Sequence, residues 1–471
     1  MLGIDNASTS DRIDPAYYFE QYGYHIGRQL FNTLTELDDS GKLIGGLAES
    51  WTSGQQLREW RLRLRKGVVF HNGKALQAQD VVYSLNHHRQ KDSPSAVRGY
   101  MQQVKDVRAD GSDTVVITLN APNADFPYLL GEVNFGITPD GEDFNKGIGT
   151  GPFVLESFQP GVRTVTRRNP NYWKSDRAFV DRVETVAYND SAARVAALLS
   201  GAVHFANRIA PNVVQRLAAS PAVQIHRNKG SFQVTFPGLA DREPFNNLDV
   251  RLALKYAIDR EQLLQSLVNG YGTIGNDTPL FPTSPYYASD LPVHRYDPDK
   301  ARFHWKKSGQ TNPIVLSAAD GATFASAVSA AELYQAAATK AGIPFRVNRV
   351  PADGYWTEVW LKHPFCASGW SNRPTADAYL SMINLSNAPW NEAHWKNERI
   401  DQLIVAARAE ADDARRRQIY HDLQVLYQAE GSTVVPLYLD SVSASRRNVR
   451  GYVDVPGEVA SRAAERIWFD A

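Results

Sequence analysis

The chain has 471 residues, 43% of them hydrophobic, and 51 Lys+Arg balance 51 Asp+Glu. That length points to two or three domains with sizeable cores, and the absence of basic excess disfavours nucleic-acid backbones and anionic membranes as partners. The longest apolar runs, such as 434–439, fall far short of the ~20 residues that cross a bilayer, and the one cysteine, Cys366, excludes an internal disulfide or a thiolate cluster.

No charged-then-apolar leader precedes Met1-Leu-Gly-Ile-Asp5, so any secretion signal is expected to have been removed or never to have existed. Residues 59–65 (EWRLRLR) alternate apolar and basic side chains, the period of a half-buried strand. Asp80 then stands as a candidate N-cap for a helix over 80–88. Segments 104–109 and 114–119 flank Asp110-Gly111 and read as a hairpin. Residues 46–150 thus form a mixed α/β unit. The stretch 147–155 (GIGTGPFVL) runs from glycines into a strand, whereas a phosphate-cradling loop follows a strand and opens a helix; a tight turn is expected.

Residues 191–206 give an amphipathic helix ending near Gly201, with its apolar stripe in the core. Asp249 is read as the N-cap of a helix whose stripe is Val250, Ala253, Leu254, Ala257 and Ile258. A second helix starts at Asp259 and Gln262, buries Leu263, Leu264, Leu267 and Val268, and stops at Gly270. A strand at 314–317, a helix over 323–341 stopped by Gly342 and a strand at 344–350 predict a parallel pair with a right-handed crossover. The stretch 365–379 (FCASGWSNRPTADAY) then leads into a helix beginning near Asp377. Two helices over 398–430, ended by Gly431, feed a strand at 434–439. No repeat or low-complexity linker is present, so lobes joined by shared strands are expected.

Recognisable catalytic motifs are missing: there is no His-Glu-x-x-His, Cys-x-x-Cys, Gly-x-Ser-x-Gly or phosphate-binding Gly-Lys-Ser/Thr. His87-His88 and His394 lie apart from carboxylates at metal spacing. Asp412-Asp413 falls in a charge-rich helical stretch beside Arg415, Arg416 and Arg417, which reads as a solvated face. Aromatics are plentiful, with 21 Tyr, 19 Phe and 10 Trp, many beside Gly, Pro or Asn where loops line small-molecule pockets.

Several stretches together, in order, resemble one family. They are Asp14-Pro15 with LFNTL (30–34); GLAESW (46–51); WRLRLRKGVVFHNGK (60–74); DVVYSL (80–85); GTGPF (149–153); NPNYW (169–173); residues 250–260; and VPLY (435–438). The combination resembles the family-5 extracytoplasmic solute-binding proteins of ABC importers, the group that includes oligopeptide-, dipeptide-, nickel- and opine-binding proteins. The resemblance implies an α/β, two-lobed periplasmic-binding-protein fold of type II, with an extra α/β subdomain in the first lobe. Lobe I would comprise 1–45, the subdomain 46–150, then 151–240 and a C-terminal return at 438–471; lobe II would be 241–437. It further implies a secreted, periplasmic protein, a monomeric receptor without cofactor, nucleic acid or catalysis, which closes on a small-molecule or peptide-like ligand and delivers it to an inner-membrane ABC permease.

In peptide-binding relatives the pair matching Gly369-Trp370 lines the pocket, and an acid three residues later holds the ligand's amine. Here that position is Arg373, whose planar fork of donors suits a carboxylate or phosphate. The pattern Trp370, Arg373, Pro374, Thr375, Asp377 is similar to opine-type relatives. The expected ligand is therefore peptide-like or opine-like and bears a carboxylate; the alternatives are a metal chelate such as a nickel complex, or a ligand-sensing or chaperone-like peptide module. Asp377 either contacts ligand or pairs with Arg373 and caps the following helix. Tyr355 and Trp356, the loop residues Tyr17, Tyr18, Phe19 and Tyr22, and Tyr438 complete the expected ligand contacts, each against the alternative of packing.

Overall fold

The computed structural model describes residues 1–90, 93–324, 326–373, 375–455 and 462–470. The chain divides into two units, one of residues 1–228 with 442–471 and one of residues 229–441. It passes between them within the strands Val223–Pro237 and Thr433–Arg446.

In the first unit the strand Leu2–Ile4 lies parallel to Arg182–Ala187 on one side and to Phe205–Ala206 on the other. Antiparallel strands Arg163–Arg168 and Phe153–Gln159 extend the sheet. The helix Gln21–Leu30 buries Tyr22, Ile26 and Leu30 at helical spacing against this sheet's Leu2, Ile4, Phe153 and Phe205. A separate antiparallel sheet of four strands, ordered Ala48–Gly54, Glu59–Leu64, Thr114–Leu119, Val104–Ala109, carries the helix Ala78–His87. Along Glu59–Leu64 the residues Trp60, Leu62 and Leu64 are buried while Arg61 and Arg63 face water, as the alternation requires.

The glycine-rich stretch answers to packing. A Cβ on Gly149 or Gly151 would lie 2.1 Å from the Leu30 carbonyl oxygen or 2.4 Å from that of Gln29, so only glycine lets this backbone reach the end of the Gln21–Leu30 helix, where Gly151 N–H donates to Leu30 O at 3.0 Å.

In the second unit Ile314–Ala318 pairs parallel with Phe345–Arg349 across the helix Ala327–Lys340. Phe236, Leu254, Ile258, Leu316, Tyr334, Phe365 and Leu437 centre the core beneath them. A second core packs the helices Ala376–Ile383, Glu398–Ala409 and Asp413–Glu430 on Tyr379, Leu380, Leu403, Tyr420 and Tyr438.

Three capping expectations are corrected. Asp80 sits at the third position of its helix; Gln77 caps, and Asp80 returns a bond from Gln77 N–H while also accepting from Lys74 Nζ at 2.6 Å. Asn247, not Asp249, caps Leu248–Ala257, which frees Asp249 to accept from His304 and Lys307. Thr375 caps the helix Ala376–Ile383, its Oγ1 accepting from Ala378 N–H at 3.0 Å; Asp377 lies within the first turn. The strand expected at 434–439 runs on to Arg446: residues 442–445 are all buried, and Ala444 and Ser445 pair with Ala206 and Phe205.

Candidate functional site

The stretch 365–379 folds as the strand Ser368–Ser371, a short connection and the helix Ala376–Ile383. The strand pairs antiparallel with Val223–Pro237, setting Trp370 opposite Gln233 and Gly369 opposite Val234. Gly369 is fixed by this seat: a Cβ there would lie 2.4 Å from the Phe232 ring and 2.9 Å from Gln233 O. Asn372 ties down the connection, its N–H donating to Ser231 O and its Nδ2 to Thr283 Oγ1, both at 3.0 Å.

Trp370 heads a run of indoles. Its ring centroid is 5.9 Å from both Trp360 and Trp390, and 6.3 Å from Tyr379, which it meets edge-on. Trp360 in turn meets Trp356 at 5.4 Å. Trp370 is 8% exposed, whereas Trp356 and Trp390 are 46% and 40% exposed, so the cluster has a buried root and an open face. Such tilted and edge-on pairs are the favoured aromatic geometries.

Behind the indoles lies Glu392, a buried acid that sequence reasoning passed over. Thr235 Oγ1 donates to its Oε1 at 2.8 Å and Trp360 Nε1 to its Oε2 at 3.2 Å. Ser368 Oγ and Trp370 Nε1 face the same carboxyl without reaching hydrogen-bond geometry. Burial outweighs these donors and pushes the Glu392 pKa up. Nothing in the local sequence, NAPWNEAHW, marks this acid, because its partners come from residues 235, 360, 368 and 370.

Arg373 follows the strand with a half-buried side chain. Its guanidinium has no acidic partner among the described residues, and its buried Nε is unmatched. It is close enough to Tyr379 to act on that hydroxyl electrostatically. Asp377 does not pair with it: Asp377 Oδ1 accepts from Arg408 Nε and Ser381 Oγ, each at 2.8 Å. The alternative Arg373–Asp377 pair thus gives way to Asp377–Arg408, and Arg373 is left without an acidic partner among the described residues. Pro374 lies outside the described residues.

The tyrosines divide differently from expectation. Tyr355 is buried and its hydroxyl donates to Ala367 O at 2.6 Å; Tyr438 is buried and donates to Thr278 O and Leu280 O. In the first unit Tyr18 donates to Ile13 O at 2.5 Å and Tyr22 to Thr185 O at 3.1 Å, both buried. These four hydroxyls are engaged by backbone. Tyr17 is part-exposed under the Arg12 guanidinium, 4.3 Å from the ring centroid, and Phe19 is exposed. In the same unit, the carboxyl ends of Leu2–Ile4 and Phe205–Ala206 present Asp5, Asn207 and Arg208. Asn207 Nδ2 donates to Asp5 Oδ1 at 2.7 Å, and Arg208 Nη1 to Asn6 Oδ1 at 2.8 Å. Carboxyl ends of parallel strands are where α/β sheets bind ligands, but no sequence motif marked these residues. Among the described residues no cluster of His, Cys, Asp and Glu could hold a metal ion, and no helix is long and apolar enough to cross a membrane.

Residues 42–392 match the model of the bacterial extracellular solute-binding proteins, family 5. The chain is 26% identical to the heme-binding protein A of Haemophilus influenzae over 499 residues, covering 94% of this chain and 88% of that one. It is also 26% identical to the glutathione-binding protein GsiB of Escherichia coli over 465 residues, covering 94% and 90%. The solved structure of the periplasmic binding protein AgaA of A. tumefaciens, in complex with agropinic acid, superposes with a TM-score of 0.84 at 21% identity, over 100% of this chain and 99% of that one. The chain therefore belongs to the family-5 bacterial extracellular solute-binding proteins and has their two-lobed type II fold. Its role is that of the substrate-binding component of an ABC importer.

Proposed function

We propose that this protein captures a small organic solute bearing a carboxylate, peptide-like or opine-like, and hands it unchanged to its permease. One observation carries the reading: the half-buried Arg373 guanidinium lacks an acidic partner among the described residues and stands three residues beyond Trp370, near Tyr379, the ring that Trp370 meets edge-on. A planar fork of donors held next to apolar walls is suited to a carboxylate. Trp356, Trp370 and Trp390 supply area for the rest of the molecule, and Gly369 seats the strand that presents Trp370. Tyr18, Tyr22, Tyr355, Tyr438 and Asp377 act as supports that hold these elements in place. The relatives named for glutathione and agropinic acid are in keeping with such a ligand. The protein acts as a monomer in the periplasm and neither catalyses a reaction nor binds nucleic acid.

Native mass spectrometry of the purified protein, followed by denaturing release, tests the reading. The expected result is a small molecule with at least one free carboxylate, and calorimetric binding of glutathione or agropinic acid in preference to their esters. Release of a molecule without an anionic group, tighter binding of a nickel chelate than of either acid, or turnover of the ligand would overturn it.

A further inference from the structure

Glu392 of the second unit is 4% exposed and is surrounded by four neutral donors, from Thr235, Trp360, Ser368 and Trp370. Thr235 and Ser368 lie opposite each other on paired strands, Trp370 follows on the strand of Ser368, and Trp360 comes from the segment after the short helix Tyr355–Glu358. Thr235 and Trp360 donate to the two carboxyl oxygens, while Ser368 Oγ and Trp370 Nε1 face the same carboxyl, buried and without a hydrogen-bond partner. No Lys, Arg or His side chain pairs with Glu392 among the described residues.

An ionised carboxyl offers about four acceptor sites and no donor, whereas a neutral one gives up acceptor capacity to its own O–H. Four donors around one carboxyl therefore match the carboxylate, and a half-used set with an indole N–H left over matches the acid. A serine hydroxyl serves both states, donating to the carboxylate or accepting from the acid's O–H. An indole N–H only donates, so Trp370 Nε1 is the group whose partner depends on the proton. Two opposed effects bring the states together: burial without a counter-ion penalises the charge, and an unmatched buried N–H penalises its absence. Burial is the larger and holds the Glu392 pKa above the ordinary glutamate range.

We infer that Glu392 is a proton-operated latch on Trp370: the carboxylate accepts from Trp370 Nε1 and ties the ring at its root, and the neutral acid leaves the ring to its packing on Trp360, Trp390 and Tyr379. Latching releases one proton to solvent, and unlatching takes it back. The indole wall is therefore stiffer on the alkaline side of the transition than on the acid side. What this means for a bound solute rests on the function proposed above; the latch itself does not.

The other titratable side chains that act on Glu392 are Tyr355, Cys366, Tyr379 and Tyr427, and burial pushes each of them up, so they stay neutral around it. Two histidines stand on adjoining segments: His394, in the same turn, bonds Asp241 at 3.0 Å, and His363 bonds Ser317 Oγ at 2.9 Å.

The test follows the indole N–H signals of the free protein by NMR from about pH 4 to about pH 9, with the Trp370 signal identified by its loss in Trp370→Phe. That signal is expected to move downfield in one step, above the ordinary glutamate range, as the N–H gains its acceptor, and to stay still in Glu392→Gln. Histidines change charge in the same range, so the step should persist in His394→Gln and in His363→Gln. It should persist as well in Arg373→Ala, which probes the proposed ligand contact, so the two readings fail separately. A wild-type Trp370 signal that shows no step overturns the inference without recourse to any variant. A step that survives in Glu392→Gln, or that is lost in either histidine variant, overturns it too.

Discussion

In the proposed function Arg373 sets the ligand class, and its surroundings separate a binding role from a structural one. In a structural role it would hold an acid, and Arg373→Ala would leave that acid exposed to the full cost of a broken pair. No acid is bound to it among the described residues; the neighbouring Asp377 is satisfied by Arg408 and Ser381. Arg373→Ala should therefore change folding stability by no more than about 0.5 kcal/mol, the range of substitutions away from such features. Binding is a different matter. A charge-assisted hydrogen bond contributes about 1.5–3 kcal/mol, so affinity for a carboxylate-bearing ligand should fall roughly 10- to 150-fold. Arg373→Lys should lie between, keeping the charge and losing the fork. Asp377→Ala supplies the contrast: it strands the part-buried Arg408 and should cost about 1–3 kcal/mol of stability, with a smaller effect on affinity. Titration calorimetry with the ligand released by denaturation, beside chemical unfolding of each variant, reads both quantities. If Arg373→Ala destabilises as much as Asp377→Ala, or leaves affinity untouched, Arg373 is not the anion reader.

Glu392→Gln should stabilise the protein at neutral pH. Burial raises the Glu392 pKa, so the folded state binds the proton more tightly than the unfolded chain and stability from this group falls as pH rises from the ordinary glutamate value through the folded one; the advantage of the variant should shrink to nothing when urea unfolding is repeated below that window. Glu36 and Glu465 carry the opposite sign. Their pKa values are depressed in the fold, so the stability they contribute is complete above the ordinary glutamate value and is lost as pH falls toward the folded ones, and Glu465→Gln should flatten that acid limb in the same assay. Gly151→Ala would place a Cβ 2.4 Å from Gln29 O; the backbone must shift, at a cost typical of overpacking, about 1–3 kcal/mol by thermal or urea unfolding, whereas Ala at the open Gly99 should have no comparable clash.

Much of the architecture was legible because it rests on local periodicity. The alternation in 59–64, the helix behind Asp259 and the parallel pair flanking Ala327–Lys340 all follow from spacing within one segment. The helix starts at Asp80, Asp249 and Asp377 were misplaced for a shared reason: an acid fits the first turn as well as the cap, and the choice is made by a neighbour, Gln77, Asn247 or Thr375, whose side chain reaches the free N–H groups. At the candidate site, Trp370 and Arg373 stood out because the family resemblance falls within one short stretch, a strand and its exit. Glu392 and the Asp5–Asn207 pair could not, since their meaning comes from partners far along the chain, and a lone acid between Asn391 and Ala393 carries no local signal. The tyrosines show the reverse limit, because composition cannot tell a hydroxyl facing a ligand from one already bonded to a carbonyl.

The buried Glu392 makes mechanical sense of the indole face. A carboxyl in an apolar surround is costly unless its oxygens are held, and these oxygens are held by Thr235 from the strand Val223–Pro237 and by Trp360, with Ser368 and Trp370 of the neighbouring strand facing them. Moving Thr235 or Trp360 would leave the acid less well matched, so it resists rotation of Trp360, on which Trp370 packs. The exposed Trp356 and Trp390 then pack on rings that are already fixed. A ligand meeting this wall need not order its root, and that lowers the entropic cost of binding. Arg373 lies outside that network and retains freedom at its guanidinium. In the proposed function area and rigidity come from the indoles and selection of charge from one side chain, so exchanging Arg373 should change which solute is preferred without remodelling the wall.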